Sequence, residues 1–396
     1  MKLEIQVNKE KGEEVLGKLY SNLINKGYPF NGFLIKPQAA ENLPKNLVWG
    51  SLEHARFLFF ACLYMRGAIK SRDAIRRLTV IYNLYPQLFN PYSYLYNPNE
   101  TEQLLYNTLL EYIGYQTYEN KKFWVANALE LIDCWDGDPR NIFSIVNEQT
   151  KGSDEIYFDL CHLIIRNFSD PRDGAPQKTL RGFYGFREKM ASMLIYFLID
   201  AGMIPSFPFP APIDFHVMRT FVQHEILSYI QQTISSERLL QIGRETSLWY
   251  SNTYKVPPEL LSDVVWLYSE YMCTLNPGSK AYRKVKGTKG RGTKFNYENI
   301  VWTENKLKKW SNSCGSCCVA DSCKFNVPAG YYYDKGQIHK GPVQRPPEDF
   351  IERPPLFQIN LNSARPKPLR IILPVKKRVY NDTFSFPKSG LFDSHK

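Results

Sequence analysis

Apolar residues recur at intervals of three and four through the middle of the chain, which is the pattern of helices that bury one face. The pattern runs from Ser51 to about residue 272, and no stretch within it alternates as a β-strand would. It predicts an all-α body of roughly ten helices. The predicted helices cover residues 53–66, 72–85, 104–115, 119–135, 156–168, 188–201, 215–234, 239–248 and 259–271, with one more beginning at Asp138 and Pro139.

The segments on either side of this body have a different composition. Residues 1–50 mix polar and apolar side chains and end in a stretch that contains Pro44, so we predict an N-terminal arm or a small appended element. Residues 326–396 are rich in proline and tyrosine, which favours an irregular, extended tail. Residues 369–380 have the composition of a strand, but Pro374 argues against a central position in a sheet.

Charge and hydrophobicity narrow the possible partners. The chain has 396 residues, of which 43% are hydrophobic, so it can bury a substantial core. Its net charge of +11 suggests an anionic partner, with nucleic acid as the first candidate. A membrane surface, or a charge that serves only solubility, would also fit. The longest apolar runs, residues 57–65 and 190–199, are too short to span a bilayer, and no secretion signal is visible. We expect a cytosolic protein with reduced thiols.

Four of the eight cysteines fall within residues 314–323. Crowded thiols are typical of a metal or iron–sulfur site, because a metal neutralises the thiolates. The spacing allows two ligand sets. One is local, and the other replaces Cys318 by Cys273, since the side chains of adjacent residues in an extended backbone diverge. An iron–sulfur cluster and zinc both use four-cysteine sites, and cysteines without any metal are the third alternative. The local set is Cys314, Cys317, Cys318 and Cys323.

The segment CGSCCVADSCKF, residues 314–325, resembles the iron–sulfur loop of the endonuclease III and adenine-glycosylase branch of the helix–hairpin–helix DNA glycosylases. That loop reads C-x6-C-x2-C-x5-C, and its last three cysteines match Cys314, Cys317 and Cys323. Leu307 stands at the position of the first, so the resemblance implies Cys273 as that ligand, followed by a long insertion. It also implies a 4Fe–4S cluster, with zinc as the alternative. The insertion carries basic residues expected to contact DNA phosphates, namely Lys284, Lys286, Lys289, Arg291 and Lys294.

A second segment, PIDFHVMR at residues 212–219, is similar to the V-D-x-H-V-x-R segment of the same family. There the Asp opens a helix and is the catalytic carboxylate, so the resemblance implies this role for Asp214. A carboxylate can stabilise positive charge on the sugar as the base leaves, and it can orient or deprotonate a nucleophile. The alternative is that Asp214 only caps a helix after Pro212.

A third segment, LRGFYGFREKMA at residues 180–191, resembles the family's L-P-G-V-G-R-K-T-A hairpin. The resemblance implies that Gly182, Gly185 and Arg187 lie against a DNA phosphate at a helix N-terminus. It further implies that Lys189 can form a Schiff base with the sugar and give lyase activity. Two alignments stay open: either Gly185 and Arg187 occupy the two glycine positions, or Gly182 and Gly185 are the pair. The alternative for Lys189 is a solvated helix lysine beside Glu188.

Together these matches imply a two-lobed, all-α, helix–hairpin–helix DNA glycosylase-like fold with an iron–sulfur loop and an irregular Pro/Tyr-rich C-terminal extension. The expected divisions are an arm at 1–50, a lobe with the hairpin at 51–212, a lobe with the basic insertion and cysteine loop at 213–325, and a tail at 326–396.

The expected activity is excision of a damaged or mispaired base flipped out of duplex DNA, with or without AP-lyase activity. The alternatives are a non-catalytic nucleic-acid-binding protein on this scaffold and an N-glycosidase acting on nucleosides or RNA. Duplex DNA is the expected partner, with no membrane and no protein partner implied. A monomer is expected, located in the cytoplasm with the nucleoid or in a nucleus.

Overall fold

The computed structural model describes residues 5–27, 30, 36–65, 71–114, 116–147, 153–168, 170, 182–213, 217, 220–221, 224–229, 236–269, 317–323, 331–334 and 337–340. Within these residues the helical body predicted for the middle of the chain is confirmed. The α-helices are α1 Lys9–Ile24, α2 Leu52–Tyr64, α3 Ser71–Leu84, α4 Tyr92–Tyr96, α5 Pro98–Tyr112, α6 Thr117–Trp135, α7 Ser153–Ile164, α8 Glu188–Asp200, α9 Ser236–Tyr254 and α10 Pro258–Leu267. Short 3₁₀ helices cover Ala40–Asn42, Pro86–Phe89, Pro139–Asn147 and Ala320–Ser322.

Two short antiparallel strand pairs accompany the helices. β1 (Ile5–Val7) pairs with β2 (Leu227–Tyr229), and β3 (Tyr331–Asp334) pairs with β4 (Gln337–Lys340). β2 interrupts the helix predicted for residues 215–234, so that prediction is wrong in its second half. The physical cause is Glu225, whose φ of +59° turns the chain out of the helical path.

In the described parts of the chain, the buried apolar side chains form two clusters. The first core is built from residues between Leu43 and Phe209 and includes the buried faces of α2 to α8. The second core combines α1, residues between Ala211 and Leu227, α9, α10 and Val319. The N-terminal segment, predicted as an arm, therefore contributes Val15, Leu16 and Leu19 to the second core.

α2 is the central element of the first core, because every residue from His54 to Tyr64 is buried. Ser51 begins the helix as an N-cap whose hydroxyl accepts from the backbone N–H of His54 at 3.1 Å. Phe60 stacks on Trp124 of α6 with ring centroids 4.3 Å apart. This contact fixes α6 on α2, and α6 in turn holds the site described below.

A polar cluster lies where α8 of the first core meets α10 of the second; we call it the junction network, and it consists of Lys36, Gln38, Tyr196, Asp200 and Asp263. Lys36 Nζ pairs with Asp200 and lies 2.8 Å from Asp263 Oδ2. Gln38 Nε2 donates to the hydroxyl of Tyr196 at 2.6 Å and to Asp200 Oδ2 at 3.1 Å. Burial outweighs the ion pair and raises the pKa of Asp263 to about 6.

No helix among the described residues has the length and apolar character needed to cross a lipid bilayer.

Candidate functional site

The chain between α7 and α8 folds back onto the end of α7. The backbone N–H of Phe183 donates to the carbonyl of Ile164 at 2.9 Å, and Phe183 forms an isolated parallel bridge with Ile165. From there the chain makes a turn at Tyr184 and Gly185 and enters α8 at Glu188. The described part of this connection thus leads from the end of α7 into the start of α8, and we call residues 182–187 the hairpin.

Each of the two hairpin glycines has a positive φ. Gly182 has a φ of +106°, and a Cβ there would lie 2.8 Å from the backbone N of Arg166, so two backbones meet where a side chain would clash. Gly185 has a φ of +80° and makes the turn. Arg187, by contrast, has an extended backbone with a φ of −136°, which any residue adopts. In the alignment that places Arg187 at the second glycine position of the family hairpin, the backbone at Arg187 therefore does not require a glycine.

Two polar side chains of α6 hold the hairpin backbone. Asn127 Oδ1 accepts from the N–H of Tyr184 at 2.7 Å, and its Nδ2 donates to the carbonyl of the same residue at 2.9 Å. Glu130 Oε1 accepts from the N–H of Gly182 at 3.4 Å. The Asn127 side chain is fully buried, and its partner Tyr184 is half-buried. In the sequence this pair is visible only as two polar residues three positions apart on one predicted helix, a spacing that places them on the same face.

Aromatic rings fix the other side of the hairpin. Phe183 and Phe186 both pack on Phe59 of α2, with ring centroids 4.8 Å and 5.4 Å away. The guanidinium of Arg166 lies over the ring of Tyr184 at 4.2 Å. With its backbone bonded to α6 and its rings buried on α2, the hairpin has a fixed geometry.

α8 begins at the hairpin without a side-chain cap. The carbonyl of Arg187 accepts from Met190 and Ala191 at 2.8 and 2.9 Å, and Arg187 itself is exposed. The first turn carries Lys189, which is half-buried. Burial raises the pKa of the Cys62 thiol, and this effect outweighs the positive charge of Lys189, which lowers the same pKa. Backbone N–H groups at such a helix start can bind an anion.

The neighbouring Glu188 points to the second core. Its carboxylate pairs with Arg244 of α9, and the Arg244 side chain is only 10% exposed. This ion pair ties the start of α8 to α9, so the hairpin helix is attached to both cores.

The cysteine loop, residues 317–323, packs on the second core through Val319, which is fully buried. Its turns are closed by Ala320 N donating to Cys317 O at 3.1 Å and by Cys323 N donating to Ala320 O at 3.0 Å. Cys317 Sγ lies 3.5 Å from the hydroxyl of Tyr268. Sequence reasoning did not single out Tyr268, which immediately follows α10.

The three cysteines of the cysteine loop are all half-buried. Burial raises the pKa of Cys317, and it raises the pKa of Cys318 to about 11. Within the described parts of the chain, no three His, Cys, Asp or Glu side chains form a group that could hold a metal ion. Cys317 and Cys323 are the two members of the predicted cluster set that lie in those parts. They lie in one compact turn, and the Tyr268 hydroxyl lies beside the Cys317 sulfur.

Several predicted site residues lie outside the described residues: Asp214, Cys273, Cys314, Lys284, Lys286, Lys289, Arg291 and Lys294. The structure brings together Gly182, Gly185, Arg187 and Lys189 in one hairpin and helix start, while the cysteine loop packs on the second core.

Comparison with known proteins adds a distant structural likeness. No protein-family model and no curated protein matches the chain. Among solved structures, the Methanocaldococcus jannaschii 8-oxoguanine glycosylase/lyase in complex with a 15mer DNA containing 8-oxoguanine matches with a TM-score of 0.38 and 14% sequence identity. The match covers 65% of this chain and 97% of that chain. A likeness at this level supports no argument about fold or function.

Proposed function

We propose that this protein is a DNA N-glycosylase that removes a damaged or mispaired base from duplex DNA. The observation that carries the proposal is the hairpin, in which Gly182 and Gly185 lead the backbone into the uncapped start of α8 with Lys189 in its first turn. An exposed arginine at the start of a helix, as Arg187 is, can bind a DNA phosphate. The net charge of +11 supports an anionic partner of this kind.

In this proposal Asp214 supplies the catalytic carboxylate. As the N-glycosidic bond breaks, the sugar gains positive charge, and a nearby carboxylate lowers the energy of that state. Lys189 adds a second path: its amine attacks C1′, and the base departs with the bonding electrons and takes up a proton. The C1′–O4′ bond then breaks as a proton passes from the nitrogen to O4′, which opens the sugar ring and leaves an imine between the lysine and C1′. Elimination from that imine would cleave the strand.

The cofactor we propose is a 4Fe–4S cluster held by Cys273, Cys314, Cys317 and Cys323, with zinc as the alternative. In either form the metal site would cross-link the cysteine loop to the second core, which is a structural contribution. Residues 280–294 would then be held close to the second core with their positive charge available to DNA phosphates.

The test uses the full chain and a panel of duplexes, each with one damaged or mispaired base. We expect abasic sites to form on at least one duplex, and Asp214→Asn to abolish base release while DNA binding changes less than about threefold. Base release that persists unchanged in Asp214→Asn would remove Asp214 from the catalytic role. A chain that releases no base from any duplex but binds DNA would support the non-catalytic alternative instead.

Lyase activity is tested separately by borohydride, which reduces the imine to a stable protein–DNA adduct. We expect the adduct with the wild-type chain and its loss in Lys189→Gln. Lys122→Gln serves as the matched control, because Lys122 is an exposed helix lysine on α6 whose ammonium lies over Tyr118. Equal trapping in Lys189→Gln would show that another amine attacks the sugar.

A further inference from the structure

Arg166 presents a guanidinium group beside the hairpin. The group lies over the ring of Tyr184, 4.2 Å from the ring centroid, and Arg166 is half-buried. Tyr184 is itself fixed, because Asn127 bonds both of its backbone groups and its ring stacks with Phe123 of α6 at a centroid distance of 5.9 Å. The guanidinium is therefore held by a ring whose position is set by α6.

The backbone at Arg166 is held by the hairpin as well. Ile165 forms the parallel bridge with Phe183, and a Cβ on Gly182 would lie 2.8 Å from the backbone nitrogen of Arg166. The next residue, Asn167, has a φ of +59°, which turns the chain out of the helical path of α7. The backbone and the guanidinium of Arg166 are thus both positioned by contacts with the hairpin.

Stacking leaves the hydrogen-bonding groups of this guanidinium available. A planar guanidinium contacts a ring through its face, while its N–H donors point outward from its edge. Over the described ranges of the chain, no carboxylate or carbonyl oxygen accepts a hydrogen bond from the guanidinium of Arg166. A guanidinium already held on a ring has less side-chain freedom to lose on binding, so it can bind a phosphate at a lower entropic cost.

Two carboxylates near the hairpin have partners other than Arg166. Glu130 accepts from the hairpin backbone at Gly182, and Glu188 pairs with an arginine of α9. Among the residues that the structure describes, Arg166 and the exposed Arg187 form no ion pair with a carboxylate. The hairpin region thus offers two guanidinium groups whose charge is available to an anion.

We propose that Arg166 binds a phosphate of duplex DNA and that Tyr184 is the residue that positions it. The inference rests on the proposed function in one respect, which is that the partner is duplex DNA. A guanidinium can donate two parallel hydrogen bonds to two oxygens of one phosphate, whereas an ammonium acts as a point charge. Such a contact reads no base; it adds affinity and fixes the register of the strand against the hairpin.

The experiment measures the affinity of the full chain for undamaged DNA duplexes as a function of salt concentration. Each phosphate that a protein neutralises steepens the slope of log K against log salt by about 0.9. We expect Arg166→Gln to bind every duplex more weakly and to lose about 0.9 of that slope. When salt rises about fourfold, wild-type affinity should therefore fall about 3.5-fold more than that of Arg166→Gln.

Two further variants separate phosphate binding from a purely structural role. Arg166→Lys keeps the charge and loses the planar donors, so the salt slope should stay while the affinity falls. A residue that only packs on the hairpin would give the wild-type slope in both Arg166→Lys and Arg166→Gln. Tyr184→Leu should also weaken binding, and it should add little to Arg166→Gln in the double variant, because the ring acts through the arginine.

Arg140→Gln is the matched control, since Arg140 is a half-buried arginine whose guanidinium is bonded to Asp138. It should keep the wild-type slope. A wild-type slope in Arg166→Gln overturns the inference, and so does a loss of binding that affects duplex RNA but not duplex DNA. A chain that binds no DNA refutes the proposed function together with the inference. Base release is measured separately, so a chain that binds DNA through Arg166 and releases no base refutes the proposed function alone.

Discussion

The hydroxyl of Tyr196 donates a hydrogen bond to the carboxylate of Asp263 at the place where the two cores meet. Tyr196 belongs to the helix that starts at the hairpin, and Asp263 belongs to the helix that ends beside the cysteine loop. Together with the contacts of Lys36 and Gln38, this bond connects the helix that starts at the hairpin to the helix that ends beside the cysteine loop.

Asp263 should make stability depend on pH in an unusual direction. Its pKa is raised from 3.8 to about 6, mainly by burial, so the folded state holds the proton more tightly than the unfolded state. The resulting stabilisation is present below pH 3.8 and is lost as pH rises through 6. Relative to Asp263→Asn, the wild type should gain up to about 3 kcal/mol between pH 7 and pH 4. Urea unfolding of both proteins across that range measures the difference, and a difference that stays constant would contradict the prediction.

Lys36→Met should destabilise the protein, because it removes the cation that faces both carboxylates of the junction network. Breaking a buried ion pair costs about 3 kcal/mol. The loss should be larger at pH 8 than at pH 5, where Asp263 takes up a proton. Lys45→Met, at an exposed lysine close by in the sequence, should change the free energy of unfolding by less than about 0.5 kcal/mol. Equal effects of the two substitutions would show that the network adds no stability.

Gly182→Ala should distort the hairpin, because the new methyl group would lie 2.8 Å from the backbone of Arg166 in a left-handed conformation. We expect a loss of about 2 to 4 kcal/mol. Gly202→Ala is the matched control, with a φ of +69° but no atom within 4 Å of the added Cβ, and should cost about 1 kcal/mol. Chemical denaturation measures the loss of unfolding free energy in both variants. If only the backbone conformation mattered, the two losses would be similar, whereas a steric clash makes the loss in Gly182→Ala the larger one.

Asn127→Ala should leave both backbone groups of Tyr184 without the α6 side chain that they bond. A buried unsatisfied group costs about 1 to 3 kcal/mol, and faster amide exchange at Tyr184 should accompany the loss. Asn107→Ala on α5, where the side chain accepts an exposed bond from Gln103, should cost about 0.5 kcal/mol or less. Unchanged amide exchange at Tyr184 would mean that α6 does not hold the hairpin.

Periodicity was sufficient to predict the helices because most of them bury one face of a repeating pattern. α2, α3, α6 and α8 lie within two residues of their predicted bounds. β1 and β2 could not be predicted, because three residues are too few for alternation to be visible and the partner lies far along the chain. The left-handed turn at Glu225, which ends the preceding helical run, carries no glycine or proline to mark it.

The candidate site likewise has a part that could be predicted from the sequence and a part that could not. The glycines and Lys189 of the hairpin are recognisable because they are close together in the sequence. Its supports are not: Asn127 bonds a residue 57 positions away, and Lys36 pairs with a carboxylate 164 positions away. A single sequence contains no record of such pairings, since they depend on how the helices pack.

The pairing of Ile5 with Tyr229 has a consequence for biosynthesis. Closing a loop of that length costs about 5 kcal/mol of chain entropy, so the N-terminal segment cannot dock until its partners exist. A ribosome adds roughly 5 to 20 residues per second, so β1 and α1 wait on the order of 10 to 40 s after emerging. During that time the first core can form alone, while Val15, Leu16 and Leu19 stay exposed to water and to chaperones. The order of folding is thus opposite to the order of the chain: its first helix is among the last to be buried.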